Sequence, residues 1–296
     1  MPVTFTRLAR DLVDISGSDQ RSFLQGLISQ DVEKVTVDRS VYGTLLTPQG
    51  KYLHDFIIAA RDSHLLFDAE PGRSEDLVAR LSRFKLRADI SFEPRHDLAV
   101  FALFGVGAAD LLSLNPNPGA TAPIGDITAM VDPRSAPLGV RLVGPLESLQ
   151  NFLTGLAATE TNFDAYDQLR ISLQVPDGSR DLDIEKSILL ESNIDLLNGI
   201  DWEKGCYMGQ ELTARTKYRG LVKRSLLAFQ ADGNSAKSGD DVLSGDKVVG
   251  EVRSTNGDCF LASVRIDALD ETGSALRVGN TKIQLLSPES IRSNMD

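Results

Sequence analysis

Short apolar runs separated by turn-forming residues alternate with amphipathic stretches along the first part of the chain. This pattern predicts a strand over residues 12–15 and a helix over residues 19–28. Two longer apolar runs, at residues 40–46 and 52–60, flank a Thr-Pro-Gln-Gly-Lys sequence at residues 47–51. Pro and Gly in these positions are typical of a turn, so the pattern predicts a β-hairpin.

The chain then repeats a similar order of strand and helix signals. Strands are predicted at residues 65–68, 88–92 and 98–104 and near residues 127 and 140, and helices at residues 74–84 and 108–114 and near residues 146 and 163. This order indicates two related α+β halves. Residues 176–186 are polar and irregular and are predicted to form an exposed connection.

The last quarter of the chain has a different character, with short apolar runs between glycine-containing turns. Their spacing is typical of a small antiparallel barrel, with strands at residues 225–230, 242–243, 247–254, 259–264 and 282–286. The sequence therefore predicts an α+β protein in which a first region, residues 1–222, precedes a β-barrel domain, residues 223–296.

Composition and charge exclude several classes of protein. The formal net charge of −11 over 296 residues argues against a nucleic-acid partner, which would require a basic face. Charged residues interrupt the N-terminus and no apolar run is long enough to cross a bilayer, so neither a secretory signal nor membrane association is predicted. Two cysteines are too few for a disulfide framework, and they fit a reducing compartment, by default the cytosol.

One of these cysteines, Cys206, lies in the segment KGCYMGQELTARTKYRG at residues 204–220. Gly205 and Gly209 bracket the thiol and permit a tight turn, and good helix formers follow from Gln210. A position before a helix N-terminus and near Lys204 favours a thiolate. We therefore predict a functional, partly exposed thiol.

The segment also contains the complete motif KGCYxGQE at residues 204–211, and the chain thereby resembles the YgfZ-type folate-binding proteins. That family is related to the aminomethyltransferase, or T-protein, of the glycine cleavage system. The resemblance extends to FLQGLISQDV (residues 23–32), LLTPQGKYLHD (45–55), FKLRADI (84–90) and NIDLLNGIDWEKG (193–205), and so covers nearly the whole chain.

The resemblance implies two interlocked α+β lobes around a central folate channel, followed by the β-barrel. It further implies binding of tetrahydrofolate or a derivative, and assembly or repair of [4Fe–4S] clusters in client enzymes with Cys206 as the functional thiol. The implied partners are folate and iron–sulfur client or assembly proteins. In relatives an aromatic residue at the position of Tyr166 lies against the folate, and Arg10 falls where some relatives carry a second aromatic residue.

The predicted folate contacts belong to the Tyr166 helix and to the cysteine segment. They are Tyr166, Arg170, Lys204, Tyr207, Gln210, Glu211 and Arg215. Positive charge at Arg215 and the nearby Lys217, Arg219 and Lys223 could attract the anionic glutamate tail of folate. The same charge could instead meet an acidic partner protein.

The alternative function is a folate-dependent aminomethyl or one-carbon transferase, so the enzymatic status of the protein stays open. Aminomethyltransferases, which the chain resembles, carry a catalytic carboxylate after a glycine pair that aligns with Gly50 and Lys51. His54 and Asp55 occupy the two acidic positions that follow, so Asp55 is the candidate for that role. A third possibility is a catalytically silent folate-sensing regulator. Because the two cysteines and three histidines lack metal-ligand spacing, no permanently bound metal is expected, and Cys206 would be either a transient cluster ligand or a thiol that forms a mixed disulfide with a partner.

Overall fold

The computed structural model describes residues 2–231, 233, 236–270 and 276–286. In chain order the first ten strands are β1 (Thr4–Leu8), β2 (Asp11–Ser16), β3 (Val41–Leu46), β4 (Tyr52–Arg61), β5 (His64–Ala69), β6 (Ser91–Pro94), β7 (Leu98–Phe104), β8 (Thr121–Ile124), β9 (Ile127–Val131) and β10 (Val140–Pro145). The later strands are β11 (Thr159–Glu160), β12 (Arg224–Ala231), β13 (Asp241–Ser244), β14 (Lys247–Asn256), β15 (Cys259–Arg265), β16 (Leu276–Val278) and β17 (Thr281–Leu286). The helices are α1 (Gln20–Gln25), α2 (Ser74–Ser82), α3 (Leu146–Thr154), α4 (Phe163–Ser172), α5 (Gln210–Tyr218) and α6 (Asp267–Asp270).

Two sheets form the first region, and the N-terminus links them. The order β3-β4-β5-β2-β6 makes a five-stranded sheet, and β11-β1-β7-β10-β9-β8 makes a six-stranded sheet. Because β1 and β2 are consecutive but belong to different sheets, the chain begins in the second lobe before it builds the first. The lobes are therefore interlocked, as expected. A continuous hydrophobic core lies between them, with Leu8, Tyr42, Tyr52, Val100 and Tyr166 among its members.

The C-terminal strands close into the barrel β12-β15-β14-β13-β16-β17. Its interior is apolar, with Phe229 and Phe260 stacked at 5.8 Å between ring centroids. The barrel is antiparallel throughout its described pairs, which confirms the predicted architecture. The last ten residues of the predicted domain, 287–296, lie outside the described residues.

Several local predictions differ from the structure. The helix expected over residues 108–114 is only a 3₁₀ turn, Asp110–Leu112. Residues 176–186 are not uniformly exposed, because Asp181 and Leu182 are buried. Among the described residues no helix is long and apolar enough to span a bilayer.

The segment FKLRADI places a leucine in an unfavourable backbone conformation. Leu86 has φ +45° and its side chain is 91% exposed. The left-handed region costs a residue with a Cβ atom roughly 1–2 kcal/mol, whereas glycine avoids this cost but loses more entropy on folding. We expect Leu86→Gly to raise the free energy of unfolding by about 0.5–1 kcal/mol, measured by urea denaturation. Leu86→Ala retains Cβ and should have little effect; equal stabilisation by both variants would contradict the backbone explanation.

Candidate functional site

A cavity of about 350 Å³ opens beside Tyr166 on α4. Its lining contains Leu8, Ala9, Pro71, Phe163, Tyr166, Asp177 and six arginines: Arg7, Arg10, Arg134, Arg141, Arg170 and Arg180. Tyr166 is only 4% exposed and packs edge-on against Phe104 of β7, at 5.5 Å between ring centroids. We call this space the Tyr166 cavity. Its volume and its mixture of aromatic and polar walls suit a small organic ligand.

A buried chain of charges forms the inner wall of the Tyr166 cavity. In this arginine–aspartate chain, defined as Arg10, Asp68, Arg141, Asp132 and Arg134, each aspartate joins two arginines. Asp132 accepts from Arg134 Nε at 2.9 Å and Nη2 at 2.8 Å, and from Arg141 Nε at 2.9 Å. The bonds of Asp68 to Arg10 Nε and Arg141 Nη1 are both 2.5 Å long. Such bidentate and shared pairs satisfy charges that burial would otherwise penalise.

The arginine–aspartate chain keeps its own two carboxyl groups ionised. Burial by itself would raise the pKa of Asp132, but the charges of Arg134 and Arg141 outweigh it and hold that pKa well below its usual range. Asp68 also has a lowered pKa, because Arg10 and Arg141 outweigh its burial. Both carboxylates are therefore ionised at neutral pH. Arg134 extends the chain to the ligand space by donating from Nη2 to the Tyr166 hydroxyl at 3.2 Å.

A second cavity, of about 490 Å³, lies near the loop that precedes Cys206. Gln30, Lys34, Arg39, Tyr42, Asp195, Asn198, Asp201, Trp202 and Glu203 contribute polar and aromatic groups to its walls. The Arg134 guanidinium lies 5.9 Å from the centroid of the Tyr42 ring. Because Arg134 lines the Tyr166 cavity and Tyr42 lines the second cavity, this contact lies between the two.

Asp55 on β4 is buried behind Tyr42. One carboxylate oxygen accepts from the Tyr42 hydroxyl at 2.8 Å and the other from the Tyr52 hydroxyl at 2.7 Å. Burial, and then the Asp55 charge, raises the pKa of both tyrosines well above the usual value, so both remain proton donors to the carboxylate. Asp55 is thus committed to two internal hydrogen bonds, which leaves less capacity to accept a proton from a substrate.

Cys206 and the preceding Gly205 are exposed, whereas Lys204 and Tyr207 on either side of them are buried. Lys204 directs its ammonium group inward, where it donates to the carbonyls of Ile28 and Gln30, both at 2.7 Å. Burial lowers the pKa of Lys204 to about 8. Tyr207 is also buried, and burial raises its pKa to about 12. Lys204 and Tyr207 therefore anchor the loop from inside and leave the thiol accessible, rather than contacting a ligand in the Tyr166 cavity as predicted.

Two glycines hold the cysteine loop against the β3–β4 hairpin. Gly209 has φ +84° and Gly50 has φ +69°, which favours glycine at both positions. A Cβ atom on Gly209 would lie 2.7 Å from the Thr47 carbonyl oxygen, and one on Gly50 would lie 2.8 Å from the Gly209 carbonyl oxygen. The hairpin that carries Asp55 and the loop that carries Cys206 are thus in main-chain contact.

Helix α5 begins at Gln210, as predicted, but none of its residues lines the Tyr166 cavity. Glu211 and Arg215 are exposed and Gln210 is half-buried, and none of the three lines that cavity. Lys217 instead covers the Trp202 ring, with Nζ 3.7 Å from the centroid. The prediction that these helix residues bind folate is therefore not supported by their placement. The basic residues that line the Tyr166 cavity are six arginines from other segments of the chain.

Arg170 connects the Tyr166 cavity with the barrel. It is 2% exposed and donates to Asp167 at 2.6 Å, to Asp181 at 2.7 Å and to the Ser254 hydroxyl of β14 at 2.7 Å. This set of partners gives Arg170 a structural role at the junction of α4, the 176–186 connection and the barrel. It lines the cavity but has few donors left for a ligand.

Sequence reasoning missed most of the inner wall. Arg141 and Asp68 each lie within an otherwise apolar strand, and a charged residue in such a run indicates a buried ion pair. That signal was available in the sequence but does not reveal the partner. Within the described ranges, no three His, Cys, Asp or Glu side chains are grouped so that they could hold a metal ion.

Comparison with known proteins places this geometry in context. Residues 223–293 match the family described as the CAF17 C-terminal beta-barrel domain. The fold is similar to that of the glycine cleavage system aminomethyltransferase T from Bartonella henselae, with a TM-score of 0.79 and 15% identity over 97% of this chain and 86% of that chain. The chain therefore has the aminomethyltransferase fold, as predicted, with a CAF17-type barrel.

Curated relatives are also similar in sequence. The chain is 30% identical to the mitochondrial iron-sulfur cluster assembly factor IBA57 homolog of Coccidioides immitis, over 75% of this chain and 55% of the relative. It is 31% identical to the Neurospora crassa homolog and 33% identical to that of Pyricularia oryzae, over 74% and 75% of this chain and 51% and 56% of the relatives. The chain thus spans about half the length of the curated relatives it matches.

The names of these relatives bear on two expectations. They are IBA57 homologs, related to but distinct from the YgfZ type that the cysteine motif suggested, so the comparisons support the resemblance for the wider group and not for the YgfZ type itself. They are also named as mitochondrial proteins, so the prediction of a cytosolic location is wrong by this comparison. The low cysteine content that prompted it indicates only a reducing environment, which is not unique to one compartment.

Proposed function

We propose that this protein supports the assembly or repair of [4Fe–4S] clusters in other proteins, with Cys206 as its functional thiol. The observation that carries the proposal is the exposure of Cys206 on a loop anchored from inside by Lys204 and Tyr207. A single accessible cysteine can ligate or exchange a cluster only in combination with ligands from a partner. The assembly-factor names of the curated relatives support this role.

Tetrahydrofolate, or a derivative, is the proposed ligand of the Tyr166 cavity. The cavity offers aromatic groups at Tyr166 and Phe163, against which a pterin or aminobenzoyl ring could pack. Its arginines provide hydrogen-bond donors around that space. The fold that the chain shares with an aminomethyltransferase is consistent with folate as the ligand. Cys206 does not line the cavity. A bound folate would therefore act on cluster chemistry through partner binding or conformation, and not by contact with Cys206.

The arrangement favours this role over one-carbon transfer. A transferase using Asp55 would need that carboxylate free to interact with the reacting amine, whereas Tyr42 and Tyr52 occupy both of its oxygens. Production of a one-carbon folate from an aminomethyl donor, abolished by Asp55→Asn, would nevertheless establish the transferase. The proposed organisation remains a folate-binding region at residues 1–222 and a barrel domain at residues 223–296.

The proposal is tested in cells that lack this protein. We expect wild type to restore the activity of [4Fe–4S] enzymes and Cys206→Ala to fail, because alanine removes the only thiol on this loop. Cys259→Ala is the matched control, since Cys259 is the other cysteine and lies half-buried on β15. Activity of an enzyme without a cluster, and immunoblots of each variant, control for growth and abundance.

Equal rescue by Cys206→Ala and wild type would remove the thiol from the mechanism. Partner binding that depends on tetrahydrofolate but survives Cys206→Ala would instead support the folate-sensing regulator. Failure of purified wild type to bind tetrahydrofolate would contradict the folate component and leave the role of Cys206 to be judged by the cellular result.

A further inference from the structure

We infer that Arg7 forms a carboxylate-binding subsite at the mouth of the Tyr166 cavity, which selects ligands with an anionic tail. Arg7 lies on β1, lines the cavity and is exposed. Throughout the ranges the structure describes, its guanidinium has no hydrogen-bond or ion-pair partner. The inference rests on the proposed folate function and adds to it the part of the ligand that Arg7 recognises.

The other five arginines of the cavity are all neutralised within the protein. Arg10, Arg134, Arg141, Arg170 and Arg180 are paired with Asp68, Asp132, Asp167, Asp177 and Asp181. Five positive charges therefore face five negative ones, and the interior has no net charge to offer a ligand. An ion entering this interior would lose its hydration without gaining a free counterion. The interior thus suits an uncharged body that forms hydrogen bonds.

The exposure of the lining residues indicates how a ligand would be oriented in the Tyr166 cavity. Tyr166 and Arg134 are buried at the inner end, whereas Phe163, 38% exposed, and Arg7 lie at the outer end. Phe163 and Tyr166 are 6.3 Å apart between ring centroids and so form a continuous aromatic wall from mouth to interior. A ligand with a planar uncharged body would place that body inside and its carboxylate beside Arg7. Tetrahydrofolate has such a form, with an uncharged pterin and an anionic glutamate tail.

The fixed charge at Arg7 is accessible to water, so its contribution is moderate and sensitive to salt. Its guanidinium can still bind a carboxylate in bidentate fashion. We therefore expect Arg7 to affect ligands that carry the tail and to have no effect on those that lack it. This difference separates a binding role from a structural one.

The experiment measures dissociation constants by isothermal titration under anaerobic conditions for two probes. Tetrahydrofolate carries the glutamate tail, and 6-methyltetrahydropterin carries the pterin alone. In 20 mM salt, Arg7→Gln should weaken tetrahydrofolate about threefold to tenfold and leave 6-methyltetrahydropterin unchanged. Raising the salt concentration to 0.5 M should reduce the difference between wild type and variant.

Arg39→Gln is the matched control, because Arg39 is an exposed arginine that lines the second cavity instead; it should leave both dissociation constants unchanged. Thermal melting of Arg7→Gln checks that the fold is intact. Unchanged tetrahydrofolate affinity in Arg7→Gln would overturn the subsite while leaving the folate proposal in place, and equal weakening of both probes would overturn it in favour of a structural role. Failure of wild type to bind either probe would overturn the folate proposal, and the subsite with it.

Discussion

Replacing Asp132 with asparagine should lower the free energy of unfolding by about 3–5 kcal/mol, the cost of removing one partner from a buried ion pair. Asp132 is the central carboxylate of the arginine–aspartate chain and accepts four hydrogen bonds, three from Arg134 and one from Arg141. Asparagine has a similar shape but is neutral, and the amide nitrogen that replaces one carboxylate oxygen cannot accept the hydrogen bonds made to that oxygen. The buried guanidiniums of Arg134 and Arg141 would therefore lose one of the negative charges that compensate them.

Urea denaturation at pH 7 measures this loss. Asp183→Asn is the matched control, because Asp183 also pairs with an arginine, Arg253, but at the surface, where such a pair contributes only about 0–1 kcal/mol. We expect the control to stay close to wild type. A loss below about 1 kcal/mol in Asp132→Asn would show that water or rearrangement compensates the buried arginines.

Acidification should destabilise the protein through His54. Burial, followed by the charge of Arg73, lowers the pKa of His54 from its ordinary 6.5 to about 4. Between these two values the unfolded chain takes up a proton that the folded protein excludes, so stability falls as the pH drops from 6.5 towards 4. The expected contribution is about 2 kcal/mol at pH 5.

The measurement is the free energy of unfolding at pH 7.5 and at pH 5 for wild type and for His54→Gln. Glutamine cannot titrate, so its stability should fall by about 2 kcal/mol less over this interval. His64→Gln is the control, since His64 is half-buried at the end of a strand and lies 3.7 Å from Asp14. If His54→Gln retained the full pH dependence of wild type, other groups would have to account for it.

The fold could be predicted from sequence where the signal was local. The β3–β4 hairpin, the start of α5 and five barrel strands all follow from apolar periodicity and turn residues. The location of β1 in the second sheet could not be predicted in this way, because periodicity shows that a strand forms and not which strand it pairs with. The 108–114 helix was wrong because a short apolar run can also form a 3₁₀ turn.

In the candidate site, too, only the part that is contiguous in sequence could be predicted. Cys206 and its loop are contiguous in sequence, so glycine spacing and the motif identified them together. The Tyr166 cavity is built from β1, β10, α4 and the segments that follow β9 and α4, and only folding brings these together. Sequence proximity therefore drew attention to the basic residues of α5, which do not line the Tyr166 cavity, whereas Arg7 and Arg134 do line it.

The main-chain contact between Gly50 and Gly209 limits how this protein can change. Neither residue carries a functional group, yet both permit the hairpin and the cysteine loop to touch. A side chain on either glycine would separate the two segments, and no compensating side chain elsewhere could restore backbone contact at that distance. Near the thiol, Gly50 and Gly209 are therefore expected to tolerate substitution poorly although neither has a reactive side chain. A survey that ranks residues by reactivity alone would overlook them.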